Sequence, residues 1–168
     1  MKLDLVSMSV PELLDTYRAI LRELRRRDVV RTANAPAGDF AEQLVAKALR
    51  GQLAPNSQRG YDLRTPDGRR IQVKCRVLDE TRKNPRRKLS PFKSFDFDDA
   101  VIVLLNSDYT VHRGVLVPVA VVKRVAKKRA NGHVADARSA LLDAPENTDL
   151  TKRLKKTNGE APATAGAS

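Results

Sequence analysis

Three side chains that could act together lie in the segment 61–77. Asp62 precedes a Pro66-Asp67-Gly68 turn, and Gln72 and Lys74 follow the turn at a spacing of two residues. Residues two apart in an extended strand project to the same face. A hairpin that turns at Asp67-Gly68 would bring the Asp62 carboxylate opposite that strand segment. The sequence therefore predicts an acid, an amide and an amine at one place on a sheet.

Hydrolysis of a phosphodiester is the chemistry that this set of groups suits. A divalent cation neutralises charge on the phosphate and activates a water, and Mg²⁺ or Mn²⁺ needs only one or two carboxylates beside its other oxygen ligands. Lys74 would orient or deprotonate the attacking water, or stabilise charge on the phosphate. The predicted metal ligands are Asp62, the side-chain oxygen of Gln72, the backbone carbonyl of Val73 and, directly or through water, Glu42.

Glu42 lies on a helix predicted over 38–49, which Gly51 closes. The apolar stripe of that helix contains Ala41, Leu44 and Val45, and Glu42 falls at the edge of the stripe rather than opposite it. Its carboxylate is therefore expected at a boundary between core and cleft, although an ordinary exposed glutamate has the same pattern.

The remaining elements frame this region. Ser9, Pro11 and Glu12 form the start signal of a helix that should run to Arg27 with one apolar stripe. The apolar run 100–105 predicts a central strand covered on both sides. We also predict strands over 61–65, 69–77, 110–117 and 132–134, a helix over 118–125, and a helical turn or two over 149–156.

The order of Glu42, Asp62 and Gln72-Val73-Lys74 resembles the signature of the PD-(D/E)xK, or restriction-endonuclease-like, nuclease superfamily. The resemblance covers about 38–77 by motif and extends to 117 by element order. It implies an α/β fold with an αβββαβ core, a mixed central sheet flanked by helices, dependence on Mg²⁺ or Mn²⁺, and DNA as substrate. The N-terminal amphipathic helix would be an addition to that core.

The sequence departs from the commonest form of the signature at two positions. Tyr61 stands where a proline often precedes the aspartate, and Gln72 stands where a second acid is usual. A glutamine at that position is similar to the variant in Mrr-like restriction nucleases. Because it removes one negative charge, we expect modest metal affinity.

Composition favours a polyanionic partner. The 168 residues carry a net charge of +12, with a pI near 10.3, and such an excess suits nucleic acid. The polar stretch 79–98 reads as a long, mobile, basic loop. The aromatic residues between Ser90 and Phe97 could hold a base or anchor the loop on the core, and we expect anchoring. Its predicted DNA-contacting residues are Arg82, Lys83, Arg86, Arg87, Lys88 and Lys93.

Other classes are disfavoured. A single cysteine, Cys75, fits a reducing compartment, and it cannot build a zinc site with two scattered histidines. With no long apolar run, we expect a cytoplasmic protein without a membrane partner. The predicted layout is an N-terminal helix and connector over 1–37, a nuclease-like domain over 38–157 and a disordered tail over 158–168.

Three functions remain open. The first is a Mg²⁺-dependent DNA endonuclease serving restriction, repair or defence. The second is a catalytically weak or inactive module of the same fold that binds DNA. The third is a basic structural or ribosome-associated protein in which Asp62 and Lys74 simply pair on a sheet face. A homodimer is open as well, because the N-terminal helix could pack on its own core or on a partner.

Overall fold

The computed structural model describes residues 3–31, 36–56, 58–79 and 81–159. The fold is α/β, with a mixed six-stranded sheet and helices on both faces. The predicted connector lies largely outside the described residues, as does the predicted tail beyond Gly159. The helices are α1 (Val10–Arg26), α2 (Ala37–Leu49), α3 (Val119–Val125), α4 (Ser139–Leu142) and α5 (Thr151–Gly159). The strands are β1 (Gln52–Leu53), β2 (Leu63–Arg64), β3 (Arg70–Val77), β4 (Asp99–Leu105), β5 (Val111–Pro118), β6 (Lys127–Arg129), β7 (Gly132–Val134) and β8 (Thr148–Asp149).

The six-stranded sheet has the order β1-β2-β3-β4-β5-β8, and β6 pairs with β7 in a separate hairpin. Every neighbouring pair is antiparallel except β3 and β4, which run parallel. All seven residues of β4 are buried, so the predicted central strand is confirmed. The strand predicted over 61–65 is shorter than expected, since only the two residues of β2 join the ladder.

One part of the expected core order is not found. An αβββαβ order places a helix between the third and fourth strands, but 78–79 and 81–98 contain no helix. Pro85 and Pro91 interrupt this segment, and proline disfavours a helix interior. The parallel β3–β4 pair still needs a long crossover, and irregular chain provides it.

The crossover is fixed to the domain, in contrast to the predicted mobile loop. Leu89, Phe92 and Phe97 are buried. Phe92 and His133 of β7 exchange backbone hydrogen bonds of 2.8 and 2.9 Å, and a second bridge joins Lys88 to Asp136. These apolar anchors hold the basic residues between them.

The sheet separates two hydrophobic clusters. Ile71, Val73 and Cys75 face α2 and α5, while Phe92, Phe97 and residues of α3 and α4 cover the other face. This alternation puts Gln72 and Lys74 on the side of the crossover, as their spacing predicted.

The helix start predicted at Ser9 is confirmed, because Ser9 and Glu12 form a capping box. The α1 helix ends at Arg26, one residue before the predicted end. At the other end of the chain, α5 includes Asn158 and Gly159, which were predicted to belong to the disordered tail, so that prediction is wrong for these two residues. Within the described part of the chain, no helix combines the length and apolar character needed to cross a membrane.

Candidate active site

A tight hairpin positions Asp62. The Gly68 N–H donates to the Thr65 carbonyl and the Thr65 N–H to the Arg69 carbonyl, each at 2.9 Å. Gly68 has φ +88°, which glycine adopts without steric cost. In the resulting register Leu63 pairs with Ile71, and the Asp62 N–H donates to the Ile71 carbonyl at 2.8 Å. The predicted placement of Asp62 beside Gln72 is therefore confirmed.

The Asp62 carboxylate is held by two donors from β3. Its Oδ2 accepts the Val73 N–H at 2.7 Å and the side-chain amide of Gln72. Because the N–H and C=O of one strand residue point to the same side, the Val73 carbonyl is directed to this edge too. Burial raises the pKa of Asp62 above its usual 3.8, against the lowering effects of Val73 N–H and Lys74.

Lys74 is held in place by the crossover. Its Nζ donates to the Pro91 carbonyl at 3.0 Å and lies 5.1 Å from the centroid of the Phe92 ring. Burial lowers the pKa of the Lys74 amine, although Asp62 and Glu42 attract its charge. A lysine with a lowered pKa is better suited to proton transfer near neutral pH.

Glu42 reaches the same region from α2. Its Oε2 lies 2.7 Å from Nη2 of Arg31, which also donates through Nη1 to the Ala54 carbonyl at 2.8 Å. Burial, reinforced by repulsion from Asp62, raises the pKa of Glu42 in spite of Arg31. Asp62 and Glu42 therefore line one pocket, and the Arg31 guanidinium already pairs with Glu42.

Two adjoining cavities connect these groups. Asp62, Gln72 and Lys74 line a cleft of about 650 Å³, together with Lys93 and Asp96. Glu42 and Arg31 line a neighbouring pocket of about 180 Å³, and both cavities include Gln58, Tyr61 and Asp62. All four side chains predicted to act thus converge at one edge of the sheet.

The predicted DNA-contacting residues do not all lie together. Lys93 lines the cleft of Asp62 and Lys74. Arg86 and Lys88 line a separate cleft of about 570 Å³ with Arg76 and Arg129. Arg87 is tied to Ala137, whose N–H donates to the Arg87 carbonyl at 2.8 Å. Arg82 pairs with Asp79 at 2.9 Å, and Lys83 is exposed.

The donor set fits a hard divalent cation. Asp62 and Glu42 supply two carboxylates and Val73 a carbonyl, and Mg²⁺ is held by one or two carboxylates with waters in the remaining positions. Gln72 presents its amide nitrogen to Asp62, so it would need to rotate to offer its oxygen. The described residues contain no group of three or more His, Cys, Asp or Glu side chains placed to hold a metal ion.

Several site residues were not predicted. Arg31 and Pro91 contact Glu42 and Lys74 from irregular segments. In such segments no periodicity indicates which way a side chain or a carbonyl points. Arg59 and Ser94, which line the cleft, are also in loops.

No protein-family model matches the chain, and no curated protein matches its sequence.

Proposed function

We propose that this protein is a metal-dependent DNA endonuclease with a restriction-endonuclease-like site formed by Glu42, Asp62, Gln72 and Lys74. The observation that carries the proposal is the placement of Asp62 and Lys74 in one cleft, with a raised carboxyl pKa and a lowered amine pKa. Oppositely shifted groups in a cleft are typical of catalytic sites. The proposal rests on this site rather than on the order of elements, which departs from αβββαβ after β3.

The two carboxylates are the groups that would hold Mg²⁺ or Mn²⁺. Burial raises the pKa of both carboxyls, and repulsion from Asp62 raises that of Glu42 further. A bound cation would favour the ionised form of both. When bound, the cation supplies charge neutralisation at the phosphate and a more acidic water. Gln72 fixes the orientation of Asp62 through its amide, but it adds no negative charge, so we expect weaker metal binding than at a three-carboxylate site.

Lys74 is proposed to exchange a proton with the attacking water. The Pro91 carbonyl and the Phe92 ring fix its amine, and its lowered pKa makes the neutral amine more accessible. Lys93 on the same cleft would contact the phosphate backbone. The net charge of +12 supplies the long-range attraction to DNA.

One observation favours a second function, a DNA-binding module that does not cleave. Arg31 already neutralises Glu42, and Gln72 and Val73 already satisfy Asp62. Glu42 is therefore neutralised, and the Asp62 carboxylate is hydrogen-bonded, by the protein's own groups. By contrast, a purely structural pairing of Asp62 and Lys74 would not require a cleft.

Plasmid cleavage separates the two functions. Purified protein is incubated with supercoiled, linear duplex and single-stranded DNA in Mg²⁺, Mn²⁺ or EDTA. We expect metal-dependent nicking that falls about 10²- to 10⁴-fold in Lys74→Ala, because proton transfer is lost. Lys93→Ala, which removes an exposed amine from the same cleft, should lose binding affinity and keep the rate at saturating DNA.

Binding is measured in parallel by fluorescence anisotropy in EDTA. Salt-sensitive binding without cleavage under every metal would establish the binding module and reject the endonuclease. Cleavage that is unaffected by Lys74→Ala would show that the reaction occurs elsewhere.

A further inference from the structure

The N-terminal part of the chain exposes an apolar face with no partner in the described structure. Large apolar side chains are 48% to 97% exposed there, namely Leu3, Leu5, Val6, Val10, Leu14, Tyr17 and Ile20. Together they expose on the order of 800 Å², whereas the largest patch of a typical monomer is about 300–600 Å². We call the residues Val10, Leu13, Leu14, Tyr17 and Ile20 the α1 seam.

The spacing of the seam is that of a helix-pairing surface. Val10, Leu13, Tyr17 and Ile20 follow one another at intervals of three, four and three residues, and Leu24 continues the pattern where α1 reaches the domain. This is the heptad pattern by which two helices pack side by side. The seam and the preceding Leu3, Leu5 and Val6 together expose an area close to the roughly 800 Å² that each partner buries in a stable interface.

Only the C-terminal end of α1 lies against the domain. Leu24 and Val29 line a pocket with Phe40 and Leu44 of α2 and Asn158 of α5. Leu21 is the buried residue of the helix, and Val30 is buried just after it. The first two turns of the seam therefore face away from the domain's own core.

The charges on α1 select the orientation of a partner helix. Residues 3–15 contain three acids and no basic residue, whereas residues 16–27 contain five arginines and one glutamate. The helix dipole favours this distribution within one helix. Between two copies, an antiparallel arrangement sets each acidic half beside an arginine-rich half, while a parallel arrangement sets like charges together.

We propose that the α1 seam binds the α1 seam of a second copy of this chain, antiparallel and about a two-fold axis. Such an interface is isologous, since each residue meets the same surface on the partner. The dimer does not depend on the proposed nuclease activity. Its tests measure assembly and distances between helices rather than DNA cleavage.

Sedimentation velocity of the full chain over a concentration series tests the assembly. In a series that extends up to about 100 μM protein, we expect a species with twice the monomer mass of 18.6 kDa. Dilution should dissociate this dimer into monomers. Tyr17→Lys should shift the protein to the monomer at the same concentrations. Ala19→Lys adds the same charge two residues away on the opposite face and should leave the dimer intact.

Two results would overturn the proposal. One is a monomer at every concentration, which leaves the seam to another class of partner. The other is a dimer that Tyr17→Lys does not dissociate, which places the interface elsewhere. Because Tyr17 and Ala19 are both exposed, neither variant should unfold the domain, and melting curves by circular dichroism verify this.

Pulsed electron paramagnetic resonance tests the orientation. Spin labels are attached to Ala19→Cys and, separately, to Arg25→Cys. Cys75 should react slowly, because burial raises the pKa of its thiol to about 12. Antiparallel helices separate the two labels at position 25 by about 15 Å more than those at position 19. Equal distances at both positions would reject the antiparallel arrangement.

Discussion

Nη2 of Arg31 lies 2.7 Å from Oε2 of Glu42, and this ion pair closes the candidate site on the side of α2. Both side chains are about one-fifth exposed, at 24% and 19%. Arg31 is therefore ion-paired with a carboxylate that is a candidate ligand of a divalent cation. The Arg31 guanidinium and a divalent cation would therefore compete for the Glu42 carboxylate.

Replacing Arg31 should reveal this competition. Arg31→Ala leaves Glu42 partly buried without its cation, so we expect the free energy of unfolding without metal to fall by about 2 kcal/mol. The same variant should gain more thermal stability from added Mn²⁺ than the unmodified protein does. Thermal melts with and without Mn²⁺ measure both effects.

Arg27→Ala is the matched control, because Arg27 pairs at 2.7 Å with Glu23 on the exposed surface of the chain. Exposed pairs contribute little to stability, and Arg27 does not line the pocket of Glu42. Equal responses of the two variants to Mn²⁺ would show that Glu42 is not a ligand.

Asp62 should make stability depend on pH. Burial raises the pKa of Asp62 above 3.8 in the folded state, so folding favours the protonated acid. The resulting stabilisation is complete below pH 3.8 and is lost as pH rises through the folded pKa. Asp62→Asn keeps an acceptor for the Val73 N–H and cannot ionise. We therefore expect the variant to gain stability relative to the unmodified protein as pH rises from about 4 to 8.

Urea unfolding across this pH range gives the difference between the two proteins. Asp96→Asn removes an exposed carboxylate from the same cleft and serves as the control. A pH-independent difference for Asp62→Asn would mean that the Asp62 carboxyl is not destabilised by burial. Glu42 has a raised pKa of the same direction, so Glu42→Gln should behave similarly.

The parts of the site that follow regular periods were predictable. The period of two in β3 and the Asp67-Gly68 turn placed Gln72, Lys74 and Asp62 together, and the helical period placed Glu42 at the core boundary. The apolar run of β4 identified the central strand. In each case the local pattern agrees with the face that is buried. A short segment is therefore enough to predict the element and the side on which each residue lies.

The parts that depend on irregular chain were not predictable. Lys74 is fixed by Pro91, seventeen residues later, and Glu42 by Arg31, which precedes α2. The crossover was expected to be mobile because it is rich in lysine and arginine. The burial of Phe92 and Phe97 confirms that the aromatic stretch anchors the crossover on the core. Leu89 follows no period, so its burial could not be predicted.

Salt dependence of binding should show whether the basic residues of the crossover contact DNA, as the proposed function expects. Arg86 and Lys88 line one cleft on the crossover, and the double variant Arg86→Ala/Lys88→Ala should lose two phosphate contacts. The slope of log K against log salt should then fall by about 1.8, since each contact contributes about 0.9. Fluorescence anisotropy at several salt concentrations measures the slope. Lys152→Ala/Arg153→Ala, which removes two exposed cations from α5, is the control, and an equal change in both would indicate only a loss of net charge.

Gly132 lies where the β6–β7 hairpin packs against Phe92 of the crossover. The neighbouring Pro91 carbonyl accepts the hydrogen bond from Lys74. Gly132 has φ +120°, and an added Cβ would lie 2.5 Å from the Phe92 carbonyl oxygen. We expect Gly132→Ala to lower the free energy of unfolding by about 3 kcal/mol, because strain and a backbone clash add. Gly68→Ala also has a positive φ, but it meets no atom within 4 Å, so it should cost only about 1 kcal/mol.

The clash should also free the crossover locally. The amides of Phe92 and His133 hydrogen-bond to each other's carbonyls, so their hydrogen exchange should accelerate in Gly132→Ala and not in Gly68→Ala. If the Pro91 carbonyl moves with them, Lys74 loses its acceptor, and the Gly132 variant should lose cleavage while remaining folded. Unchanged exchange at Phe92 together with lost cleavage would contradict this path, because the crossover would then still hold Lys74 in place.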